Sequence, residues 1–384
     1  MHIGIYTLFL TPGQIGGIET YVRNLVTVLG QIDQVNQFTL FVGEHNRDLF
    51  RDLAFPNIKQ VTLSFNPTRN PLSIRLLCRL KVIPSPALKE LAAYPLDVLH
   101  YPGTTIDQLE IETPCILTVH DIQHEYFPEF FSRKELARRK RTYKPSAQKA
   151  QHIITDTEFT KNSLVEKYGL PAQKISAIPF GVNSDFNSNI SPALVGQVRT
   201  HYRLPEQFIF FPANPWPHKN HHRLFEALTI VRTRYGHQNC HLVLSGVFPE
   251  EQARLQTDIA ELGLSEAIHV LGYIPYAHLP GLYTAATMLV FPSLFEGFGI
   301  PLLEAMACGC PIVSANTGSL PEVAGNAAVL VNPYHVEELA EAIHTVLLDE
   351  ALRLDLKARG LERVQYFSWE KAARQTIEVY QSVL

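Results

Sequence analysis

Short apolar runs alternate with helix-period segments along the whole chain, and this alternation limits the possible folds more than any other feature. The runs are IGIYTLF (3–9), FTLFVG (38–43), VLHY (98–101), ILTVHD (116–121) and IITDT (153–157) in the first half. The second half repeats the pattern with FIFFPAN (208–214), HLVLSG (241–246), IHVLG (268–272), MLVFPS (288–293) and PIVSA (311–315). They lack polar alternation and are bounded by turn residues, which suits parallel strands covered on both faces. Between the first two, Ile18, Tyr21, Val22, Leu25, Val26 and Leu29 form one apolar helical stripe. This predicts an α/β chain of two doubly wound, Rossmann-like domains. A length of 384 residues also exceeds what one core usually serves. PFGVNSDFNSNISPALVG (179–196) is rich in turn residues and marks the boundary, giving domains at 1–185 and 196–367. One or two amphipathic helices follow LVNP (330–333), and a last helix over 368–384 closes the chain. Two such domains are expected to face each other across a cleft, with ligands at the carboxyl ends of the strands.

A hydrophobic fraction of 46% with 18% charged residues fits an ordinary globular enzyme. A net charge of −4 excludes a dedicated nucleic-acid binder, whose phosphate contacts need a basic domain. The opening MHIGIYTLFLTPG has no basic leader region or cleavage site and reads as a first strand rather than a secretion signal. No apolar stretch approaches the ~18 residues of a spanning helix. The five cysteines (Cys78, Cys115, Cys240, Cys308, Cys310) are odd in number and, apart from one C-x-C, outside zinc-ligand spacing. This points to a reduced, cytoplasmic protein, with Cys308 and Cys310 as small buried hydrophobes.

The informative motifs directly follow strands. TPGQIGGIETYVRN (11–24) sets Gly16 and Gly17 before a helix, where backbone amides approach an anion closely; a tight turn is the plain structural reading. His120, in TVHDIQHEYFPEFFS, ends a strand; it is either a group that exchanges protons near neutral pH or a satisfied surface or capping histidine. His124 and Glu125 nearby do not make a zinc motif. Eight basic residues lie between Arg133 and Lys149, either a solvated helix face or a contact for an anionic membrane or acidic acceptor. FIFFPANPWPHKNHHRL ends a strand at Ala213–Asn214 and brings Lys219 to the next helix, where an ammonium offsets leaving-group charge. Tyr273 and Ile274 lie in a turn that either presents backbone groups to a flat base or merely connects.

LFEGFGIPLLEAMACG (294–309) places Glu296 in a loop and Glu304 about one turn into a helix, with Pro301 in the first turn. Capping accounts for an acid near a helix start, and a solvated position for Glu304. Neither explains a two-glycine, aromatic loop presenting the amides of Phe298, Gly299 and Ile300 around a carboxylate. Hydroxyl-rich ligands suit that arrangement, because their donors pair with carboxylates and their acceptors with N–H groups.

Together, GGIETYVRNL (16–25), HD (120–121), IITDTEFTK (153–161), HKN (218–220), E-x7-E (296–304) and GSLPEVAG (318–325) resemble the retaining glycosyltransferases of family 4, with the GT-B fold. The likeness extends over nearly the whole chain. It implies an acceptor on the N-terminal domain, a nucleotide sugar mainly on the C-terminal one, and a last helix that crosses back to the first domain. By position, Glu296 would hold donor-sugar hydroxyls and Glu304 the ribose. Amides of Phe298 to Ile300 would line sugar and phosphates, Gly16 and Gly17 would approach the diphosphate, Lys219 would neutralise the departing nucleotide, and His120 would lie near the reacting sugar. No cofactor or catalytic metal is implied beyond a GDP- or UDP-linked donor as co-substrate. Ala213–Asn214 stands where many members carry a glycine-arginine pair that shares the phosphate charge, so Lys219 acts alone or with His218 or His221. PANPWPHKN is similar to mannosyl- and related transferases of bacterial surface-glycan pathways, which makes GDP-mannose the first donor and UDP-sugars the next. The expected activity is transfer of a hexose to a glycan or lipid-linked acceptor in polysaccharide biosynthesis, in the cytoplasm or at the inner membrane face. The rivals are a nucleotide-sugar epimerase of the same fold and a nucleotide-sugar-binding protein without turnover.

Overall fold

The computed structural model describes residues 1–12, 16–64, 86–246 and 249–384. Cys78 and residues 13–15 of the first glycine-rich turn lie outside these. The chain divides into two compact units, Met1–Phe180 with Ser368–Leu384, and Gly181–Phe367.

Among the described residues, unit 1 holds a seven-stranded sheet: β1 (His2–Tyr6), β2 (Gln37–Gly43), β3 (Ile58–Leu63), β4 (Val98–Tyr101), β5 (Cys115–Val119), β6 (His152–Thr155) and β7 (Ile175–Ala177). Its order is β3-β2-β1-β4-β5-β6-β7, and every pairing is parallel. Unit 2 holds six strands: β8 (Phe208–Pro212), β9 (His241–Ser245), β10 (Ile268–Val270), β11 (Met288–Phe291), β12 (Ile312–Ala315) and β13 (Val329–Val331). They run in the order β10-β9-β8-β11-β12-β13, again all parallel. In both sheets the chain reverses its direction of travel beside the first strand, between β1 and β4 and between β8 and β11. The loops leaving those strands flank the crevice where doubly wound sheets bind ligands.

Central strands such as Cys115–Val119 and Met288–Phe291 are buried throughout, as their continuous apolar runs require. Helix Gly16–Ile32 buries Tyr21, Val22, Leu25, Val26 and Leu29. Ser132, Thr157, Ser191 and Ser368 each accept a backbone N–H three residues on and so start four helices. The turn-rich stretch 179–196 passes from unit 1 into unit 2 after Phe180; Phe186 is buried and helix Pro192–His201 begins within it. After LVNP come two helices, Val336–Leu348 and Glu350–Arg363. Helix Trp369–Ser382 packs on helix Gly16–Ile32, with Trp369 stacked on Phe180 at 5.0 Å and Tyr380 bonded to His100 Nδ1 at 2.8 Å. Burial pushes His100 down to about 3, so the neutral ring bridges Tyr380 and Thr118. Cys308 and Cys310 are buried thiols.

Candidate active site

In unit 2 the loops after β8 and β11 carry Asn214, Lys219 and Glu296. A 3-10 turn, Pro217–Lys219, follows β8, and Asn220 then takes a left-handed conformation (φ 65°) before helix His221–Thr233. Its side-chain amide donates to the carbonyls of Pro292 (3.0 Å) and Pro333 (2.8 Å), while Leu294 N–H donates to His218 O at 2.7 Å. These bonds tie the two loops together. Lys219 Nζ therefore reaches Glu296 Oε1 at 2.6 Å and lies 5.1 Å from the Phe291 ring centroid. Both side chains are mostly buried, with exposures of 15% and 13%. Lys219 is thus the partner of the glutamate rather than an isolated ammonium. Asn214 Oδ1 is buried without a hydrogen-bond partner. Burial pushes His221 down to about 3, so it carries no charge near neutral pH and does not replace the absent arginine.

Helix Ile300–Ala307 begins at Gly299 with no side-chain cap and no acid in its first turn, which removes capping as an explanation for Glu296. Gly299 has φ 104°, and a Cβ there would lie 2.7 Å from Leu320 Cδ2. Gly318 (φ 61°) passes so close that a Cβ would meet Glu296 O at 3.0 Å. From the next residue, the Ser319 hydroxyl has the carbonyls of Glu296 (2.9 Å) and Phe298 (3.1 Å) within reach. GSLPEVAG thus holds the Glu296 loop from behind. Phe298 and Gly299 are buried and Ile300 is half-buried.

Glu304 occupies a buried position, not a solvated one, at 7% exposure. Burial pushes its carboxyl up to about 7, against the pull of the Tyr283 hydroxyl donating to Oε2 at 2.7 Å. Following β10, Tyr273 is exposed while Ile274 is buried, so the two do not present side chains to one surface.

In unit 1, Gly16 and Gly17 are exposed at the start of their helix, and an added Cβ on Gly16 would meet nothing within 4 Å. His120 is a satisfied histidine, but a buried one. Nε2 lies 3.0 Å from Pro102 O, which only accepts, and Nδ1 lies 2.7 Å from Asp156 Oδ2. Nε2 must then carry a proton, and a second proton lies between Nδ1 and the carboxyl group. Burial works to lower the imidazole's pKa, but the carboxylate beside it outweighs this and holds it above the ordinary value. Asp156 and Tyr283 were not legible as site residues. Asp156 ends a strand as His120 does, a signal that could have found it; Tyr283 has no local signal.

Among the described residues no group of three or more His, Cys, Asp or Glu could hold a metal ion, and no helix is long and apolar enough to cross a membrane.

Residues 15–186 match the family described as Glycosyltransferase Family 4, and residues 200–363 match Glycosyl transferases group 1. O-antigen chain mannosyltransferase B of Escherichia coli is 34% identical over 272 residues, 69% of this chain and 70% of that one. Serotype-specific mannosyltransferase WbdA of Escherichia coli is 30% identical over 239 residues, covering 62% of this chain but only 29% of that protein. The crystal structure of Anabaena Alr3699/HepE in complex with UDP and glucose aligns over 100% of both chains, with TM-score 0.76 and 21% identity. The chain belongs to glycosyltransferase family 4 and is a glycosyltransferase with the two Rossmann-like domains of the GT-B fold.

Proposed function

We propose that the protein transfers a hexose from a nucleotide sugar to a glycan or lipid-linked acceptor in polysaccharide biosynthesis, with the anomeric configuration retained. The observation that carries this reading is the Lys219–Glu296 pair at the β8/β11 switch point, beside an uncapped helix start. GDP-mannose is the first donor on this reading, supported by the mannosyltransferases among the relatives, and UDP-sugars are the next. Glu296 accepts sugar hydroxyls, Glu304 the ribose hydroxyls, and backbone from Phe298 to Ile300 borders the sugar and phosphates. The exposed amides at Gly16 and Gly17 suit an anion by the same physics. Asn214 lines the donor loop without charge, and Tyr273 and Ile274 border the base through their backbone. His120, with both ring nitrogens engaged, is assigned to shaping the sugar's surroundings.

In the reaction, the bond from the anomeric carbon to the leaving phosphate oxygen breaks while the acceptor oxygen bonds that carbon on the same face. The acceptor's proton passes to the phosphate oxygen. No side-chain base is needed; the protein supplies orientation and charge stabilisation, the latter worth about 10²–10³ in rate per well-placed donor. Lys219 turns from Glu296 toward the diphosphate as charge develops there, and Glu296 is then free for sugar hydroxyls.

The membrane face of this reading is helix Arg133–Lys149. Arg133, Lys134, Lys140, Arg141 and Lys144 are exposed on one side of it, and Arg138 on the same side pairs with Glu135. The stacked Phe127 and Phe130 precede it, 5.1 Å apart. Such a surface suits a cytoplasmic protein resting on anionic lipid that carries its acceptor.

The test is a panel of GDP-, UDP- and ADP-sugars scored by thermal stabilisation, since a ligand of the folded state raises the melting point by mass action. One donor should stabilise the protein and support transfer, and Glu296→Ala should keep the fold but lose nearly all turnover. Absence of stabilisation by every donor, or substantial turnover by that variant, overturns the reading. Epimerised free sugar without acceptor would favour an epimerase.

A further inference from the structure

The two oxygens of Glu304 are in different states. Oε2 accepts from the Tyr283 hydroxyl at 2.7 Å. Oε1 has no partner among the described residues and keeps some exposure to solvent. Tyr283 has little freedom to move. It is fully buried in helix Leu279–Ala285, edge-on to Phe210 (5.1 Å, 82°) and to Phe186 (6.0 Å, 69°). Phe186 is itself held edge-on by Tyr276 at 5.3 Å. A tyrosine hydroxyl has one proton to give, and here it is committed to Oε2.

We propose that Tyr283 is a positioning residue that fixes the plane of the Glu304 carboxylate, so that Oε1 bonds one hydroxyl of a nucleotide ribose more strongly than Oε2, already accepting from the tyrosine, bonds its neighbour. This rests on the reading above, in which Glu304 meets the ribose. An unrestrained carboxylate can take the two hydroxyls of a vicinal diol, one on each oxygen, and losing either hydroxyl then costs the same. With Oε2 held, one of its two acceptor sites is already used and its direction is fixed, so the hydroxyl on Oε1 makes the stronger bond and its neighbour, sharing Oε2 with the tyrosine, the weaker. The site should therefore distinguish the 2′- from the 3′-hydroxyl, and the distinction should depend on a side chain that never touches the nucleotide.

The experiment measures, by calorimetry, the affinities of GDP, 2′-deoxy-GDP and 3′-deoxy-GDP, and of the UDP set, for wild type, Tyr283→Phe and Glu304→Ala. In the base series that binds wild type more tightly, the two deoxy analogues should differ about 5-fold, the difference between a full and a weakened hydrogen bond. Tyr283→Phe should compress that ratio to about 2-fold or less, because the two oxygens become equivalent acceptors. If the ring-conserving variant fails to fold, Phe186→Leu, which loosens the brace and keeps the hydroxyl, replaces it and should compress the ratio partly. A merely structural Tyr283 would weaken all nucleotides together and leave the ratio unchanged. That outcome, or a wild type that treats both analogues alike, overturns the proposal. Failure of the underlying reading looks different: Glu304→Ala would then still separate GDP from its deoxy analogues as wild type does.

Discussion

The burial of Glu304 has a measurable consequence that does not depend on any ligand. Its carboxyl is pushed from the ordinary 4.5 up to about 7 in the fold. In the unfolded chain it ionises at the ordinary value. Between the two values the native state holds a proton that the unfolded state has released, so stability falls as pH rises through the window and levels off above about 7. A displacement of that size corresponds to about 3 kcal/mol, present below pH 4.5 and lost by pH 7. Glu304→Gln keeps the shape and cannot titrate, so its contribution is the same at every pH. The chain has two tryptophans, Trp216 in unit 2 and Trp369 in unit 1. In a Trp369→Phe background, urea unfolding followed at Trp216 reports the unit that holds Glu304. Between pH 5 and 8, the midpoint with glutamate should fall relative to that with glutamine by about 1 M urea, at an m-value of 2–3 kcal/mol/M. Parallel pH profiles for the two proteins would refute the assignment of a neutral, buried Glu304. A nucleotide hydroxyl donating to Oε1 favours the ionised form, so affinity for the donor nucleotide should rise with pH up to about 7, and the glutamine variant should not show that rise.

Two further outcomes follow from geometry. Gly299→Ala forces a side chain into φ 104° with its Cβ 2.7 Å from Leu320 Cδ2. It should cost about 2 kcal/mol or more in the same unfolding measurement and impair transfer more than nucleotide binding, since it displaces the Glu296 loop; unchanged stability would deny the tight packing. Reversing Lys140, Arg141 and Lys144 to glutamate should weaken binding to vesicles containing anionic lipid by more than 100-fold, at about 1 kcal/mol per lost base. Neutral vesicles should bind equally little before and after, and unaltered anionic binding would remove the lipid role from this helix.

What was legible in the residues depended on where each element sits. Interior strands announced themselves because both faces are covered, but β3, β7 and β13, three of the four sheet edges, did not. IKQVTL places exposed Lys59 and Gln60 in the strand, and ISA and VLV are three residues each, too short and too open for an apolar run to show. Lys219, Glu296 and Glu304 stood out because they follow strands on either side of a switch point. Their pairings did not. Lys219 and Glu296 are 77 positions apart and Tyr283 and Glu304 are 21, and only the folded sheet brings each pair together. One of these partners was nevertheless implied by the local pattern. IPLLEAMACG is apolar around the whole helix, and such a helix is buried on every side. An acid within it is largely withdrawn from solvent, so it needs a donor from a neighbouring element and carries a raised pKa. IITDT poses a similar problem for Asp156, and there the partner is the histidine that ends the adjacent strand. A lone carboxyl inside an unbroken apolar run is therefore a prediction of a hydrogen-bond partner, even where the partner's identity lies beyond local sequence.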